Sequence, residues 1–265
     1  HRKNARNANP MKIHTLVQGA KQFVLYIPCF LLPMMTNEPY HNTNLYLRRL
    51  DKENRISESD IEARMRWDMP ILSTNAKCSV SLDLPMTHCV PTAACAQVCY
   101  ASQGQQFYRN SVVKSLAIDR LIDLDSEHVA RKMIDEAAGR SIRIAGSGEI
   151  TPKHAPLLSY INQFGGSWWG FTRRIDTHRA LPSLMFSTDA TSPSETMKYV
   201  REEVPVNRRS YLRRPDDPPS PLEVAVTFPV HGSVTNYTSK TPWHETDCPV
   251  DRKEMEGCWN CKRCY

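Results

Sequence analysis

The chain has 265 residues, enough to bury a full core and form one large domain with an appended lobe, and too many for a small scaffold held by cross-links alone. Hydrophobic residues make up 40% and charged residues 23%, which excludes a mostly disordered chain, while 19 Pro against 10 Gly point to many stiff connections. The formal charge of +6 is modest, so any contact with nucleic acid has to rest on local clusters of arginine.

In chain order, basic residues first precede the apolar run Phe23 to Met35. That resembles a signal peptide in outline, but the run is too short to span a bilayer, Pro28 and Pro33 interrupt it, and no small-residue cleavage site follows. It reads as a buried strand and turn, and the expectation is a cytoplasmic protein with no membrane segment. Residues 1–75 are taken as an N-terminal extension, in which Ser57-Glu58-Ser59-Asp60 has the form of a helix start.

Residues 76–230 are read as the main domain, where short apolar runs alternate with helical patterns. Val112, Val113, Leu116, Leu121 and Ile122 fall near helical spacing over Ser111 to Leu124, and Ser126 is placed as the cap of a second helix through Ala138. Ser141 to Ala145 is a short strand, followed by Gly146-Ser147-Gly148-Glu149 and by Thr151-Pro152, a cap with proline at the first helical position. Trp168 to Thr172 and Leu184 to Ser187 are further buried strands; Ser192-Pro193-Ser194-Glu195 supplies a capping box, and Leu222 to Phe228 is the last strand. Arg208-Arg209 and Arg213-Arg214 flank Tyr211 ahead of the Pro/Asp-rich stretch Pro215 to Pro221 and read as a solvated loop. Repeated β-then-α units with right-handed crossovers imply an α/β fold, a partial (β/α) barrel or curled parallel sheet, with ligands at the carboxyl ends of the strands. Residues 231–265 form a C-terminal cysteine-rich lobe.

Seven of the nine cysteines lie in two tight groups, and such grouping in a reducing compartment argues for metal ligation over disulfides; Cys29 and Cys78 read as core thiols. Cys89, Cys95 and Cys99 form C-x5-C-x3-C. Three thiolates can reach three corners of a cubane cluster and leave one iron open to an exchangeable ligand. The alternative is zinc, with His88 as a fourth ligand. Cys248, Cys258, Cys261 and Cys264 form C-x9-C-x2-C-x2-C, a closed four-thiolate set. Its C-x2-C-x2-C run is ferredoxin-like and favours a [4Fe–4S] cluster, with zinc as the alternative at this C-terminal site.

The strand-loop-helix RIAGSGEITPKHAPLLSYI places Gly146 47 residues after Cys99. In this order and spacing the chain resembles the radical S-adenosylmethionine superfamily, where a three-cysteine loop after the first barrel strand is followed by a strand ending in a Gly-Gly-Glu motif. The spacing here is three residues longer than that family's C-x3-C-x2-C, and the loop reads Gly-Ser-Gly-Glu. The resemblance implies a [4Fe–4S] cluster on Cys89, Cys95 and Cys99, with Gly146, Ser147, Gly148 and Glu149 contacting the amino group of S-adenosylmethionine on the open iron. A C-terminal auxiliary cluster would bind substrate or relay electrons from a donor. The stretches SVSLDLPMTHCVPTAACAQVCYASQG, IRIAGSGEIT and WGFTRR, with the C-terminal cysteines, resemble the phage-associated gene-product-88 family over residues 75–265.

Thr172, Arg173, Arg174, Ser187 and Asp189 follow strands and so fall on the expected ligand side, where Arg173 is a candidate for pairing with a carboxylate or phosphate. His154, His178, His231 and His244 are scattered, and none is assigned as a catalytic base. No phosphate-binding glycine loop, zinc-protease helix motif or Gly-x-Ser-x-Gly elbow occurs. Two functions stay open. One is a radical-S-adenosylmethionine-like metalloprotein with an unidentified substrate. The other is a non-enzymatic nucleic-acid or protein-binding module of phage or mobile-element origin, with arginines on phosphate and Trp168, Trp169 and Trp259 as stacking surfaces.

Overall fold

Ser57 opens the second helix with a reciprocal cap: its hydroxyl accepts from the Asp60 N–H at 3.2 Å and the Asp60 carboxylate accepts from the Ser57 N–H at 3.3 Å. The computed structural model describes residues 45–75, 78–102, 104–214, 217–229, 248, 261 and 264. All fall within one compact unit, Asn42–Tyr265. The strand expected at Phe23 to Met35, and Cys29, lie outside the described residues. The elements are α1 (Leu45–Asn54), α2 (Glu58–Arg64), β1 (Ser73–Asn75), β2 (Ser79–Ser81), α3 (Ala93–Gln97), α4 (Arg109–Leu124), α5 (Ser126–Ala137) and β3 (Ile142–Ile144). They continue with α6 (Ala155–Gln163), β4 (Trp168–Thr172), α7 (Ile175–Ala180), β5 (Met185–Asp189), α8 (Ser194–Glu203), β6 (Arg209–Arg213) and β7 (Val226–Pro229).

The strands form one open seven-stranded sheet in chain order; β1 is antiparallel to β2, and every later pair is parallel. A parallel sheet that never reverses its strand order sends every right-handed crossover over the same face. Strand alternation agrees. Ile142 and Ile144 pack with Val129, Ala130 and Met133 of α5 and with Leu157, Leu158 and Ile161 of α6, and Phe186 packs with Tyr199 and Val200 of α8. The alternate positions Arg143, Phe171, Ser187, Leu212 and Phe228 face the other way and are only half-buried. This is the expected α/β architecture of a partial barrel or curled parallel sheet, with its helices packed on one face. Residues 45–75 join it: Ile61, Met69, Ile71 and Leu72 belong to the main core. No helix among the described residues is long and apolar enough to cross a membrane.

Four expectations need correction. The arginine-rich stretch around Tyr211 is not a solvated loop but β6, paired with β5 and β7. Tyr211 is fully buried, and Arg209 caps the end of α8 by donating to the Val204 carbonyl at 2.8 Å and the Arg201 carbonyl at 3.2 Å. Two arginine pairs around a three-residue core mask the alternation that marks a strand. Ser192 does not form a capping box; α8 starts after Pro193, and the Ser192 hydroxyl instead accepts from the Asp189 N–H at 2.9 Å. Asp125, not Ser126, caps α5, accepting from the His128 N–H at 2.9 Å. The last strand begins at Val226, four residues later than its sequence pattern suggests.

Truncating Tyr211 empties a closed site in the sheet, so Tyr211→Ala is expected to lower the unfolding free energy by about 3–5 kcal/mol in urea titration. Truncation of the exposed Val206 just before β6 should cost under about 1 kcal/mol.

Candidate metal centre

The site is built where β2 and β3 end. Beyond the last paired residues the two backbones stay hydrogen-bonded: the Gly146 N–H donates to the Leu82 carbonyl at 2.7 Å, and the Leu84 N–H to the Ser147 carbonyl at 2.9 Å. The approach leaves no space for side chains. A Cβ on Gly146 would lie 2.6 Å from both Asp83 Oδ1 and Ser81 Cβ, and one on Gly148, whose φ is +74°, would lie 2.1 Å from the Leu84 carbonyl oxygen. The two glycines of Gly-Ser-Gly-Glu are thus demanded by the packing of one loop on the other.

After Pro85 the chain turns through Met86–His88, passes Cys89, and enters α3, where the Thr92 hydroxyl accepts from the Cys95 N–H at 3.2 Å; Cys99 follows. Loop backbone without a ladder needs other partners. Glu53 of α1 supplies some, accepting from the Met86 N–H at 3.0 and 2.9 Å and from the Thr87 N–H at 3.2 Å. The later strands supply the rest. Thr191 Oγ1 accepts from the Ala94 N–H at 3.0 Å, Arg214 Nη1 donates to Gln97 Oε1 at 3.0 Å, and Thr92 donates to the Asp189 carboxylate. Arg173 Nη1 holds the same carboxylate at 2.6 Å and Thr92 Oγ1 at 3.4 Å, while Arg174 Nη1 reaches the His88 carbonyl at 3.5 Å. The three-cysteine loop is therefore strapped across the carboxyl ends of β4, β5 and β6. Arg173 and Asp189, expected on the ligand side, stand there as part of this strap.

Cys89 and Cys99 share an apolar cluster with Met86, Ala101, Leu45 and Tyr46. Burial pushes all three thiols of the loop up, Cys89 well above the ordinary range. Two are also raised by their neighbours: Cys89 by Glu149, Cys95 and Cys99; Cys95 by Cys99, Asp189 and Glu149 against the lowering effect of Arg173. The Cys99 sulfur faces the Ser102 hydroxyl and the N–H groups of Ala101 and Ser102, which favour its thiolate. Left alone these groups are protonated thiols, and a bound metal is what would ionise them together.

Glu149 is buried beside them. It accepts from the Thr172 side chain and the Arg173 N–H, yet its Oε1 has no partner among the described residues. Burial pushes its carboxyl up to about 7 despite those bonds and the nearby Arg173 and Arg174. Ser147 Oγ and Asp83 Oδ1, from the two adjoining loops, are likewise buried and unpartnered. Three buried polar atoms without a partner among the described residues thus lie on the segments that meet at these strand ends.

A group the sequence did not single out adjoins the loop. Asp119 of α4 accepts from His154 Nε2 at 3.1 Å, Lys153 Nζ at 3.0 Å and His88 Nε2 at 3.3 Å. Burial alone would raise the Asp119 carboxyl, but hydrogen bonds from His154, His88 and Lys153 hold it far below the usual range. His88, Asp119 and His154 lie close enough to hold a cation together. However, the Thr151 N–H donates to His154 Nδ1 at 3.0 Å, leaving the ring proton on Nε2 for Asp119, and Lys153 already supplies positive charge. The group acts as a clamp that ties His88, next to Cys89, to the segment after Glu149. Its one sequence signal is an aspartate among the apolar positions of α4, between Ile118 and Leu121. His154 and His178, which the sequence left unassigned, are buried, the latter bonded through Nδ1 to the Tyr199 hydroxyl at 2.8 Å. His231 and His244 lie outside the described residues.

Of the C-terminal cysteines, Cys248 donates its N–H to the Thr227 carbonyl of β7 at 2.9 Å and shares an apolar cluster with Met185, Val226, Phe171, Phe228 and Cys264. Cys261 is half-buried, and Cys258 lies outside the described residues. Cys248 and Cys264 thus pack on the inner face of the sheet.

Fold and site define an open, singly wound α/β protein with a cysteine loop strapped over the strand ends. The chain belongs to the gene product 88 family, whose model matches residues 47–265. No curated protein and no solved structure matches it.

Gly148→Ala is expected to cost at least about 3 kcal/mol, from a left-handed φ combined with a backbone clash, read as a lower urea midpoint. Glu149 gives a pH signature. Its folded carboxyl binds its proton more tightly than the ordinary value of 4.5, so its contribution to stability is complete below that pH and is lost as pH rises to about 7. By pH 8 the loss is roughly 3 kcal/mol. Urea unfolding of metal-free protein at pH 5 and pH 8 should show this fall, and Glu149→Gln should remove most of it.

Proposed function

We propose that this protein is an iron–sulfur metalloprotein of the radical-S-adenosylmethionine type, in which Cys89, Cys95 and Cys99 hold a [4Fe–4S] cluster with one open iron. The observation that carries the reading is Glu149 Oε1: a buried carboxyl oxygen with no partner among the described residues, in electrostatic reach of Cys89 and Cys95. A three-thiolate set beside a preformed acceptor suits a ligand that meets a metal at one atom and donates hydrogen bonds at another, as the amino acid end of S-adenosylmethionine does. The donor chemistry also fits, since Cys99 has N–H and O–H groups facing its sulfur. His88 Nε2 is held by Asp119 at 3.3 Å and its Nδ1 is buried with no partner among the described residues, so a zinc reading of this loop would use that nitrogen as the fourth ligand.

When bound, such a group supplies one-electron reductive cleavage of a sulfonium, chemistry that no side chain provides. The chain supplies the rest. Glu149, with Ser147 and the glycine backbone, orients the ligand's ammonium, whose charge would return the carboxyl to its ionised form. The strap of Thr92, Arg173, Asp189 and Thr191 holds the loop rigid, and the half-buried inner face, with Arg143 5.7 Å from the Trp169 ring centroid and 6.0 Å from that of Tyr100, offers a surface for substrate. The C-terminal set is assigned a second, closed cluster for electron relay or substrate binding. The alternative of nucleic-acid binding through arginines is less well supported, because Arg173, Arg174, Arg209 and Arg214 are engaged within the chain.

Anaerobic purification should give about eight irons and eight sulfides per chain, four at each cysteine set. Cys95→Ala should lose about half, and the electron paramagnetic resonance signal of the reduced protein should change when S-adenosylmethionine is added. Zinc without iron, or iron that does not respond to the ligand, would overturn this reading and direct attention to salt-dependent nucleic-acid binding.

A further inference from the structure

Arg49 of α1 has no exposed surface at all. A buried guanidinium ordinarily has its N–H fork matched by carboxylates or carbonyls, because an uncompensated buried cation costs several kcal/mol. Here the matching is incomplete. Only Nη2 is engaged, 3.2 Å from Glu53 Oε1 and 3.5 Å from Ser115 Oγ, and the latter hydroxyl itself donates to the Val112 carbonyl. Nε and Nη1 are buried with no partner among the described residues. Glu53 cannot complete the fork, because both its oxygens also receive the N–H groups of Met86 and Thr87 at the start of the cysteine loop. The remaining groups in electrostatic reach of Arg49 are Cys99, Asp83 and Cys89.

We infer that Arg49 is the buried counter-charge of the metal group on Cys89, Cys95 and Cys99, stabilising the ligated thiolates and making the group easier to reduce. The inference rests on the reading given above. With the thiols protonated, the guanidinium has Glu53 and, more weakly, Asp83 to balance it; with three thiolates formed, further negative charge appears within its reach. Reduction adds one more negative charge, so a fixed cation nearby favours the reduced form. Arg49 touches no substrate in this role and acts as a tuning residue.

The test compares wild type, Arg49→Gln and Arg49→Lys, each purified anaerobically, by iron content, potentiometric titration and urea unfolding with and without the metal group. Arg49→Gln should hold less iron at the first site and show about a tenfold lower ratio of reduced to oxidised group at fixed potential, equivalent to about 59 mV for one electron. Arg49→Lys should lie nearer wild type. The stability lost in Arg49→Gln should be larger in the loaded than in the metal-free protein. Equal loss in both forms, an unchanged potential, or an Arg49→Gln chain that fails to fold with or without iron would show that the guanidinium serves the fold, and would overturn the inference while leaving the cluster assignment intact. If wild type holds no iron that Cys95→Ala removes, the cluster reading fails first, and this inference with it.

Discussion

The two hydrogen bonds that prolong the β2–β3 ladder past its last paired residues set the position of nearly everything else at the strand ends. They press Leu82–Pro85 against Gly146–Gly148, so close that neither glycine has room for a Cβ. Because the loops run together in register, the cysteines that follow one and the glutamate that follows the other arrive on the same side of the sheet. A single methyl group at Gly148 would separate them. The glycines therefore set a distance between two chemical groups, and their conformational freedom is secondary to that.

Around this junction the structure buries an unusual amount of charge. Glu53, Arg49, Asp119, Glu149 and Asp189 are all buried, and most are held by hydrogen bonds to loop backbone or to one another. Such groups contribute little net stability compared with apolar residues of the same size, but misplacing any one of them is costly. They select one arrangement of the loops against the many that a Pro-rich chain could adopt. The apolar core of β3, α5 and α6 holds the scaffold together, whereas the buried charges fix the geometry at its rim.

Much of this was legible in the residues. Helix caps at Ser57 and Thr151, the periodicity of α4 and the apolar runs of β3, β4 and β5 are local signals, and local signals survive into the fold. The order of β and α segments was enough to give the sheet. What could not be read is what depends on distant partners. β6 and the residue on either side of it carry four arginines near a tyrosine, and only the carbonyl end of α8 explains Arg209. Asp119 looks like any helix aspartate until His88, Lys153 and His154 are brought to it from both directions along the chain. Arg49 and Glu53 lay in a segment with no evident pattern, yet they sit against the loop that begins more than thirty residues later.

The strap across the cysteine loop has a consequence for the order in which the protein can be completed during synthesis. Thr92 is held by Asp189, 97 residues further on, and Gln97 by Arg214, 117 residues further on. A chain leaving the ribosome therefore presents its three thiols long before the groups that fix them exist, and contacts of such separation close late in folding. In that interval the thiols are exposed on a loose segment, open to oxidation or to scavenging by whatever ion is at hand. A metal group of the kind proposed would be inserted after β6 has joined the sheet, so its delivery would suit a finished polypeptide better than a nascent one.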